Sequence, residues 1–192
     1  INNRKQAEYN VSFIMPAYNE VENVEEAVAK ATEALEKYAS AHEIIVVDDG
    51  SSDGTGKLLD DLAKSNPSLR PIHHGRNLGY GSALKTGFAS AKYDLVFYTD
   101  ADNQFDVDEI KFFLPLTEKY DLISGFRIYR YDAVIRCFLS WGFNKLCRVI
   151  FGIRVRDIDC AFKLFRRSIF DSFEMESKDF FIDAEILAKA RA

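Results

Sequence analysis

Short apolar segments alternate along this chain with segments whose apolar residues recur at helical spacing, and this alternation constrains the fold more than any other feature. The apolar segments lie at 11–15, 43–47, 69–73, 94–99 and 121–126. Helical patterns separate them, at 24–39, 55–62, 79–91 and 108–119. Strands that alternate with helices are typical of a parallel, doubly wound sheet. We therefore predict a single α/β domain with a mostly parallel sheet.

Length and composition limit the chain to one ordinary globular domain. It has 192 residues, 47% of them hydrophobic and 29% charged, without internal repeats. Cys137, Cys147 and Cys160 lack Cys-x-x-Cys spacing, so we expect reduced thiols in a cytoplasmic compartment. No apolar run approaches the roughly 20 residues of a membrane-spanning helix. The sequence starts without methionine and stops inside a helical pattern. We therefore expect residues 1–192 to be a domain excised from a longer chain with C-terminal membrane segments.

Acidic residues follow the predicted strands directly, at the edge where ligands bind in such sheets. Asp100 and Asp102 come just after the fourth strand, with the small Ala101 between them. Two carboxylates this close favour a hard divalent cation, and Mg²⁺ or Mn²⁺ would take few protein oxygens and complete its shell with diphosphate and water. An aspartate pair that caps a helix is the alternative, because the Asp-x-Asp pattern is common.

A second acidic pair, Asp48 and Asp49, follows the second strand and precedes a loop of small residues at 50–55. A carboxylate here is suited to accept hydrogen bonds from a ribose or a base, while the small residues let the backbone approach a ligand. A capping loop is the alternative. The chain has no Walker A phosphate loop and no complete G-x-G-x-x-G fingerprint. His73 and His74 are interpreted as a strand end rather than a metal site.

The segment from Arg127 to Arg167 is basic, with ten lysines and arginines against three aspartates, although the whole chain carries a net charge of −5. This asymmetry predicts an anionic partner, either phosphate or a membrane surface, and a solvated basic face is the alternative. Within it, residues 133–151 have the pattern of an amphipathic helix. Such a helix either lies on anionic lipid or packs on the core.

The acidic loops together resemble the GT-A-fold, family-two glycosyltransferases, through residues 11–20, 44–55, 76–81 and 98–102. The resemblance implies a GT-A-like domain with a donor-binding half at about 10–105 and an acceptor half at about 106–192. It implies a metal-bound donor diphosphate at Asp100 and Asp102, in a loop that includes Ala101 and Gln104. The other donor-binding positions that it implies are Pro16, Ala17, Tyr18, Glu20, Asp48, Asp49, Arg76 and Lys85.

The second half resembles the polyprenyl-phosphate branch of that family, which includes dolichol-phosphate mannose synthase and undecaprenyl-phosphate glucosyltransferase. The matching segments are 100–104, 124–127 and 156–166. The chain departs from the branch at 105–106, where many members have His-Pro, and at 160–163, where mannose synthases commonly have Ser-Gly-Phe-Arg. These departures argue more against a mannose synthase than against the branch.

A phosphate acceptor is already ionised at neutral pH, so this resemblance implies chemistry that needs little general-base assistance. Arg127 and Arg136 are the candidates for binding the acceptor phosphate, because guanidinium groups make bidentate phosphate contacts. Asp157 and Asp159 are the candidates for facing the anomeric carbon or orienting a basic partner, and both would lie on one side if their segment is extended. Surface charge for the arginines, and ion pairs with Arg154 or Arg156 for the aspartates, are the alternatives.

We therefore expect an inverting, metal-dependent transfer of a hexose from a UDP- or GDP-sugar to a polyprenyl phosphate at the cytoplasmic face of the membrane, in assembly of a cell-envelope glycan. Nucleic acid is not an expected partner, and a homo-oligomer is compatible with the sequence. One alternative is a soluble glycosyltransferase that acts on a saccharide hydroxyl. Another is a module that binds nucleotide sugars without turnover.

Overall fold

The computed structural model describes residues 8–127, 142, 145–152 and 155–190. The strands are β1 (Asn10–Ala17), β2 (Ala41–Asp48), β3 (Leu69–His73), β4 (Leu95–Thr99), β5 (Leu122–Ser124) and β6 (Phe162–Arg166). The α-helices are α1 (Val24–Tyr38), α2 (Thr55–Ala63), α3 (Tyr80–Ser90), α4 (Ile110–Phe113) and α5 (Ile182–Lys189). Residues 145–151 are also helical, and short 3-10 helices lie at Val107–Glu109, Leu114–Glu118 and Arg167–Asp171.

Among the described residues, the strands form one sheet in the order β3-β2-β1-β4-β6-β5. The four neighbouring strands β3, β2, β1 and β4 pair in parallel. Strand β6 runs antiparallel to both of its neighbours, β4 and β5. The predicted α/β fold with a mostly parallel sheet is confirmed. The antiparallel strand β6 lies in a segment, residues 162–166, that carried no strand prediction.

Both faces of the sheet are buried, which explains why its central strands are continuous apolar runs rather than alternating ones. Phe13 and Met15 of β1 point into the layer formed with α1, α2 and α4. Ile14 points into the opposite layer, formed with α3 and α5. This alternation follows from the two-residue period of a strand. The sheet is thus held rigidly from both sides, and its C-terminal edge is a fixed platform for loops.

The predicted helix at 108–119 is interrupted in the structure. A 3-10 turn, the four-residue helix α4 and a second 3-10 helix occupy this stretch. Pro115 lies in the first turn of the second 3-10 helix. Proline has no backbone N–H and its ring clashes with the preceding turn, so a continuous α-helix cannot pass through this position. The prediction of one helix is wrong for this reason.

Two sequence-based predictions concern residues that the structure covers only in part. The predicted amphipathic helix at 133–151 is described at 142 and 145–151, which are helical; the rest of it, with Arg136 and Cys137, lies outside the described residues. Cys147 and Cys160 are buried free thiols. Within the described ranges, none of the helices has the length and apolar character needed to cross a membrane.

Candidate active site

The loops that follow β1 and β2 are joined by hydrogen bonds into one surface at the C-terminal edge of the sheet. The Asn19 backbone N–H donates to Ser51 Oγ at 2.9 Å, and the Ser52 N–H donates to Asn19 Oδ1 at 2.9 Å. Asn19 has a left-handed backbone, with φ of 56°. Asparagine tolerates this conformation better than most residues, so the sharp turn after β1 suits its sequence.

The donor-binding residues predicted at the end of β1 and in the loop after it differ in exposure. Pro16 and Ala17 are buried within β1 itself. Tyr18 is exposed. The Glu20 N–H donates to Thr55 Oγ1 at 2.9 Å, and its carboxylate accepts from Asn23 Nδ2 at 2.7 Å. Among these four residues, Tyr18 has the exposed side chain, and Glu20 is half-buried.

Asp49 is buried and its carboxylate is occupied by donors from the protein. Oδ1 accepts from the Leu78 N–H and Oδ2 from the Gly79 N–H, both at 2.9 Å. His74 Nδ1 lies 2.6 Å from Oδ1, and its Nε2 lies 2.9 Å from Thr86 Oγ1. Asp49 thus holds the turn that begins α3.

Asp48 contacts His73, just as the next residue, Asp49, contacts His74. Its carboxylate accepts from the Ser51 N–H at 3.0 Å and lies 3.0 Å from His73 Nδ1. Although burial opposes the effect, hydrogen bonds from Ser51 and His73 hold the pKa of Asp48 below its usual value. The sequence analysis did not assign these roles to the two histidines. Parallel pairing of β2 with β3, which places Asp48 beside His73, was the signal that could have found them.

Asp100 has a buried carboxylate oxygen that the described protein leaves unsatisfied. Its Oδ1 has no hydrogen-bond partner among the described residues. Burial and the neighbouring Asp102 raise the pKa of Asp100 to about 7. Both observations mean that the carboxylate lacks a positive partner, so this donor set fits a divalent cation.

The remainder of this loop turns tightly around the two aspartates. The Gln104 N–H donates to Asp102 Oδ1 at 3.1 Å, whereas Ala101 between the aspartates is buried. Asn103 has φ of 60° and donates from Nδ2 to the Asn23 carbonyl at 3.0 Å. The described residues contain no cluster of three or more metal-binding side chains. Asp100 and Asp102 could hold a cation that takes its other ligands from a diphosphate and water, which is the usual arrangement for Mg²⁺.

A buried ionic cluster that the sequence analysis missed lies beside Asp100. The Lys163 ammonium, on β6, donates to Asp183 Oδ1 at 2.5 Å, to the Cys160 carbonyl at 2.6 Å and to the Tyr98 hydroxyl at 2.9 Å. The Tyr98 hydroxyl also hydrogen-bonds to Asp183. Only 1% of Lys163 is exposed. The cluster joins β4, which directly precedes Asp100, to the turn that contains Asp159, a candidate acceptor-side residue.

Arg127 and Asp157, which lie in the predicted acceptor half, form an ion pair. Arg127 Nε donates to Asp157 Oδ2 at 3.0 Å, and Nη2 donates to Oδ1 at 3.3 Å and to the Asp159 carbonyl at 3.4 Å. Asp157 is therefore paired with Arg127, and Arg154, one of the two arginines in the alternative of a structural ion pair, lies outside the described residues. Burial, with nearby Asp183 and Asp157, raises the pKa of Asp159.

The backbone around these aspartates corrects one expectation. Residues 158–159 form a turn, so the segment is not extended. The condition under which Asp157 and Asp159 would lie on one side, an extended segment, is therefore not met. A hydrogen bond from the Lys163 ammonium to the carbonyl of Cys160, the residue after the turn, fixes the end of this segment.

Arg76 and Lys85 are placed differently from each other. The Arg76 backbone passes directly over Gly50, where a Cβ atom would lie 2.4 Å from the Arg76 carbonyl carbon. Gly50 also has φ of 72°, so only glycine fits this position without strain. Lys85 donates from Nζ to the carbonyls of Met175 and Glu176, at 2.9 and 3.1 Å. Its ammonium anchors the segment before α5.

That segment, residues 174–181, packs against the beginning of α3. The Gly81 N–H donates to the Lys178 carbonyl at 2.8 Å. From α5, the Glu185 carboxylate accepts from the backbone N–H groups of Glu176 and Ser177, at 2.7 and 2.8 Å. Although burial opposes it, the contacts of Glu185 with Lys189 and Ser177 lower its pKa to about 2. The segment is thus tied to the turn that Asp49 holds.

The chain matches a known protein family and is similar to a curated relative and to several solved structures. The model of the family described as "Glycosyl transferase family 2" matches residues 12–173. Glycosyltransferase AglD of Haloferax volcanii is 33% identical over an alignment of 192 residues. The alignment covers 94% of this chain and 31% of that protein. The chain therefore spans about a third of the length of this curated relative.

Two solved structures with a similar fold are named as enzymes that handle mannosyl or glucosyl groups. Mannosyltransferase PcManGT from Pyrobaculum calidifontis, solved with GDP-Man and Mn²⁺, has a TM-score of 0.63 and 21% identity, over 93% of this chain and 52% of that one. Glucosyl-3-phosphoglycerate synthase from Mycobacterium tuberculosis, solved with UDP, has a TM-score of 0.72 and 19% identity, over 95% of this chain and 65% of that one. At these identities the likeness establishes a shared fold.

Proposed function

Because the chain belongs to glycosyl transferase family 2, we propose that it is the catalytic domain of an inverting glycosyltransferase that moves a hexose from a UDP- or GDP-sugar to a polyprenyl phosphate. The observation that carries the proposal is the buried Asp100 oxygen, which lacks a partner among the described residues and lies beside Asp102 at the end of β4. Two solved structures with this fold contain Mn²⁺ with a nucleotide sugar, which supports a divalent cation in the proposed mechanism.

On the donor side, Asp100 and Asp102 would hold Mg²⁺ or Mn²⁺. When bound, the cation would neutralise charge on the diphosphate leaving group. The nucleoside would lie against the joined loops after β1 and β2, with Tyr18 as the exposed side chain. In this proposal the buried Asp49 shapes the pocket by fixing the turn at Gly79.

On the acceptor side, the proposed chemistry is a displacement at the anomeric carbon. An oxygen of the lipid phosphate bonds to that carbon while the bond to the diphosphate oxygen breaks, so the nucleoside diphosphate leaves and the configuration inverts. Arg127 is suited to orient the phosphate, because Asp157 already fixes its guanidinium plane. Its contribution would come from positioning and charge stabilisation, since an ionised phosphate needs no base.

Location and assembly follow from this acceptor and are part of the proposal. A lipid phosphate would place the domain on the cytoplasmic face of a membrane. The basic character of residues 127–167 supports attraction to anionic lipid. Arg136, the second arginine predicted to bind the acceptor, remains a prediction outside the described residues. A homo-oligomer is not required by this mechanism.

A transferase that acts on a saccharide hydroxyl is the second candidate, and one observation favours it. The raised pKa of Asp159 is a property expected of a general base, which a hydroxyl acceptor needs. Asp159→Asn separates the two candidates. It should abolish transfer to a hydroxyl and leave most of the transfer to a phosphate.

The proposal is tested first through the donor. Calorimetry of UDP and GDP binding should show affinity that depends on Mn²⁺ and is lost in EDTA. Asp102→Asn should weaken that binding, whereas Asp106→Asn, an exposed change four residues away, should leave it unchanged. Equal affinity with Mn²⁺ and with EDTA would contradict the proposed cation site.

The acceptor is tested by transfer to farnesyl phosphate, with soluble saccharides in parallel. Arg127→Lys keeps a charge beside Asp157 and loses the bidentate geometry, so transfer should fall roughly tenfold, as expected for a lost charge-assisted contact. Arg70→Lys, at an exposed arginine near Glu43, is the matched control. Preferential transfer to saccharides would overturn the lipid acceptor.

A further inference from the structure

An apolar groove of about 250 Å³ lies between the α4 region and the end of β5. Its apolar walls include Phe105, Phe112, Leu116, Ile123, Phe126 and Phe162. Three of these are open to solvent, with Phe112 63%, Phe126 43% and Leu116 41% exposed. Several apolar side chains exposed around one concavity are unusual on a soluble surface and typically mark a binding site.

The groove begins and ends at residues of the candidate active site. Phe105 is three positions beyond Asp102, on the loop that follows the candidate cation ligands. At the other wall, Phe126 directly precedes Arg127. Cys160 also lines the groove and adjoins Asp159, whose carbonyl accepts from Arg127. A ligand in the groove would therefore have one end beside Arg127 and Asp159.

Two guanidinium groups lie at that end, and one of them, that of Arg127, is paired with Asp157. The guanidinium carbon of Arg156 lies 4.3 Å from the centroid of the Phe126 ring, and Arg127 is the next residue along the chain. The ionised side chain among the described lining residues, Glu109, belongs to the opposite, helical wall. An apolar channel with a cationic end complements a molecule with an aliphatic tail and an anionic head.

We propose that this groove binds the first isoprene units of the acceptor's hydrocarbon chain, with the phosphate at Arg127 and Arg156. The inference rests on the proposed function and adds a binding site for the lipid tail within the catalytic domain. A saccharide would find few hydrogen-bonding side chains here, because Glu109 and Ser124 are the polar ones with oxygen atoms among the described lining residues. A sugar placed there would leave most of its hydroxyls unpaired, at a cost in affinity.

The test compares acceptors that share a phosphate and differ in tail length, namely dimethylallyl, geranyl and farnesyl phosphate. With the wild-type domain, KM should fall as the tail lengthens and then level off when the groove is filled. Phe112→Gln should raise KM for farnesyl phosphate roughly tenfold. It should raise the KM for dimethylallyl phosphate less than the KM for farnesyl phosphate, because the shorter tail has less apolar surface to bury, and it should leave kcat and the donor Kd nearly unchanged. Phe112 is largely exposed, so the substitution removes little packing from the fold.

Tyr120→Gln is the matched control, because Tyr120 is exposed to a similar degree and does not line the groove. It should change none of these constants. An equal effect of the two substitutions would overturn the groove as the binding site, and so would a KM that is independent of tail length. Transfer to saccharides alone would instead overturn the proposed function, and the two failures are therefore distinguishable.

A binding measurement keeps the inference testable if the domain alone transfers nothing. A benzophenone-bearing geranyl phosphate should label peptides that contain residues 105–126, and farnesyl phosphate should compete with the label. Phe112→Gln should reduce labelling, and Tyr120→Gln should not. Labelling confined to peptides outside the groove, or competition by inorganic phosphate as strong as by farnesyl phosphate, would contradict the proposal.

Discussion

Replacing Lys163 by Met removes the ammonium group from the buried cluster and leaves its acceptors behind. The substitution keeps a side chain of similar length, so packing changes little. Asp183 loses its cation, and the Cys160 carbonyl and the Tyr98 hydroxyl each lose a donor. The Asp183 side chain is 5% exposed and cannot regain water without local opening.

The expected cost follows from this burial. Removing one partner of a buried ion pair typically destabilises a protein by about 3–5 kcal/mol, because an uncompensated charge remains. The exposed pair of Lys30 and Glu26 provides the comparison, at 2.8 Å with side chains 44% and 64% exposed. Such surface pairs contribute about 0.3–0.5 kcal/mol. Lys163→Met should therefore destabilise the domain several-fold more than Lys30→Met, although both remove one lysine charge.

Urea denaturation followed by far-UV circular dichroism measures both changes. A third variant, Lys163→Met with Asp183→Asn, removes the orphaned charge and keeps an acceptor for Tyr98. It should be more stable than the single variant. A cost below about 1 kcal/mol for Lys163→Met would refute the reasoning, since it would mean that the pair is effectively hydrated. A double variant less stable than the single one would refute the assignment of the cost to the buried charge.

Three further outcomes are expected. Gly81→Ala should cost about 1–3 kcal/mol in urea denaturation, because its Cβ would lie 2.7 Å from the Lys178 carbonyl carbon, whereas Gly75→Ala, with nothing within 4 Å, should cost less. Asp102→Asn should weaken binding of Mn²⁺ alone at least tenfold, and calorimetry without nucleotide checks this. His73→Gln should destabilise most below about pH 6.5. Burial lowers the pKa of His73, but the carboxylates of Asp48 and Asp60 outweigh this effect and raise it. The contribution of His73 to the free energy of unfolding should therefore disappear as pH rises through its folded-state pKa. Urea denaturation of both proteins at pH 5.5 and 8 tests whether the difference is larger at the lower pH.

The features that could be predicted from sequence are those set by near neighbours in the chain. Apolar runs followed by helical patterns predicted the α/β fold, and short acidic stretches after them predicted loops at one edge of the sheet. Asp100 and Asp102 were identified as a candidate cation pair for the same reason, because they follow β4 directly. The helix predicted at 108–119 failed since apolar periodicity outweighed Pro115 in the prediction.

The partners of these residues could not be predicted in the same way. Asp48 and Asp49 were predicted to face a nucleoside, and in the structure their carboxylates contact His73, His74 and the backbone at the start of α3. Those contacts span 25 to 30 positions along the chain. Nothing local to the aspartates indicates which later residues reach them.

The sequence alone therefore determined the order of β1 to β5, of the helices between β1 and β4 and of the loops between them, because hydrophobic periodicity and turn-forming residues act over a few neighbouring positions. The tertiary structure alone decided which charges are buried. Lys163 reads as one more basic residue in a basic segment, yet it meets Tyr98 across 65 positions and Asp183 across 20. Burial is a property of the assembled layers, so the same lysine would be an ordinary surface charge if β6 were not inserted between β4 and β5.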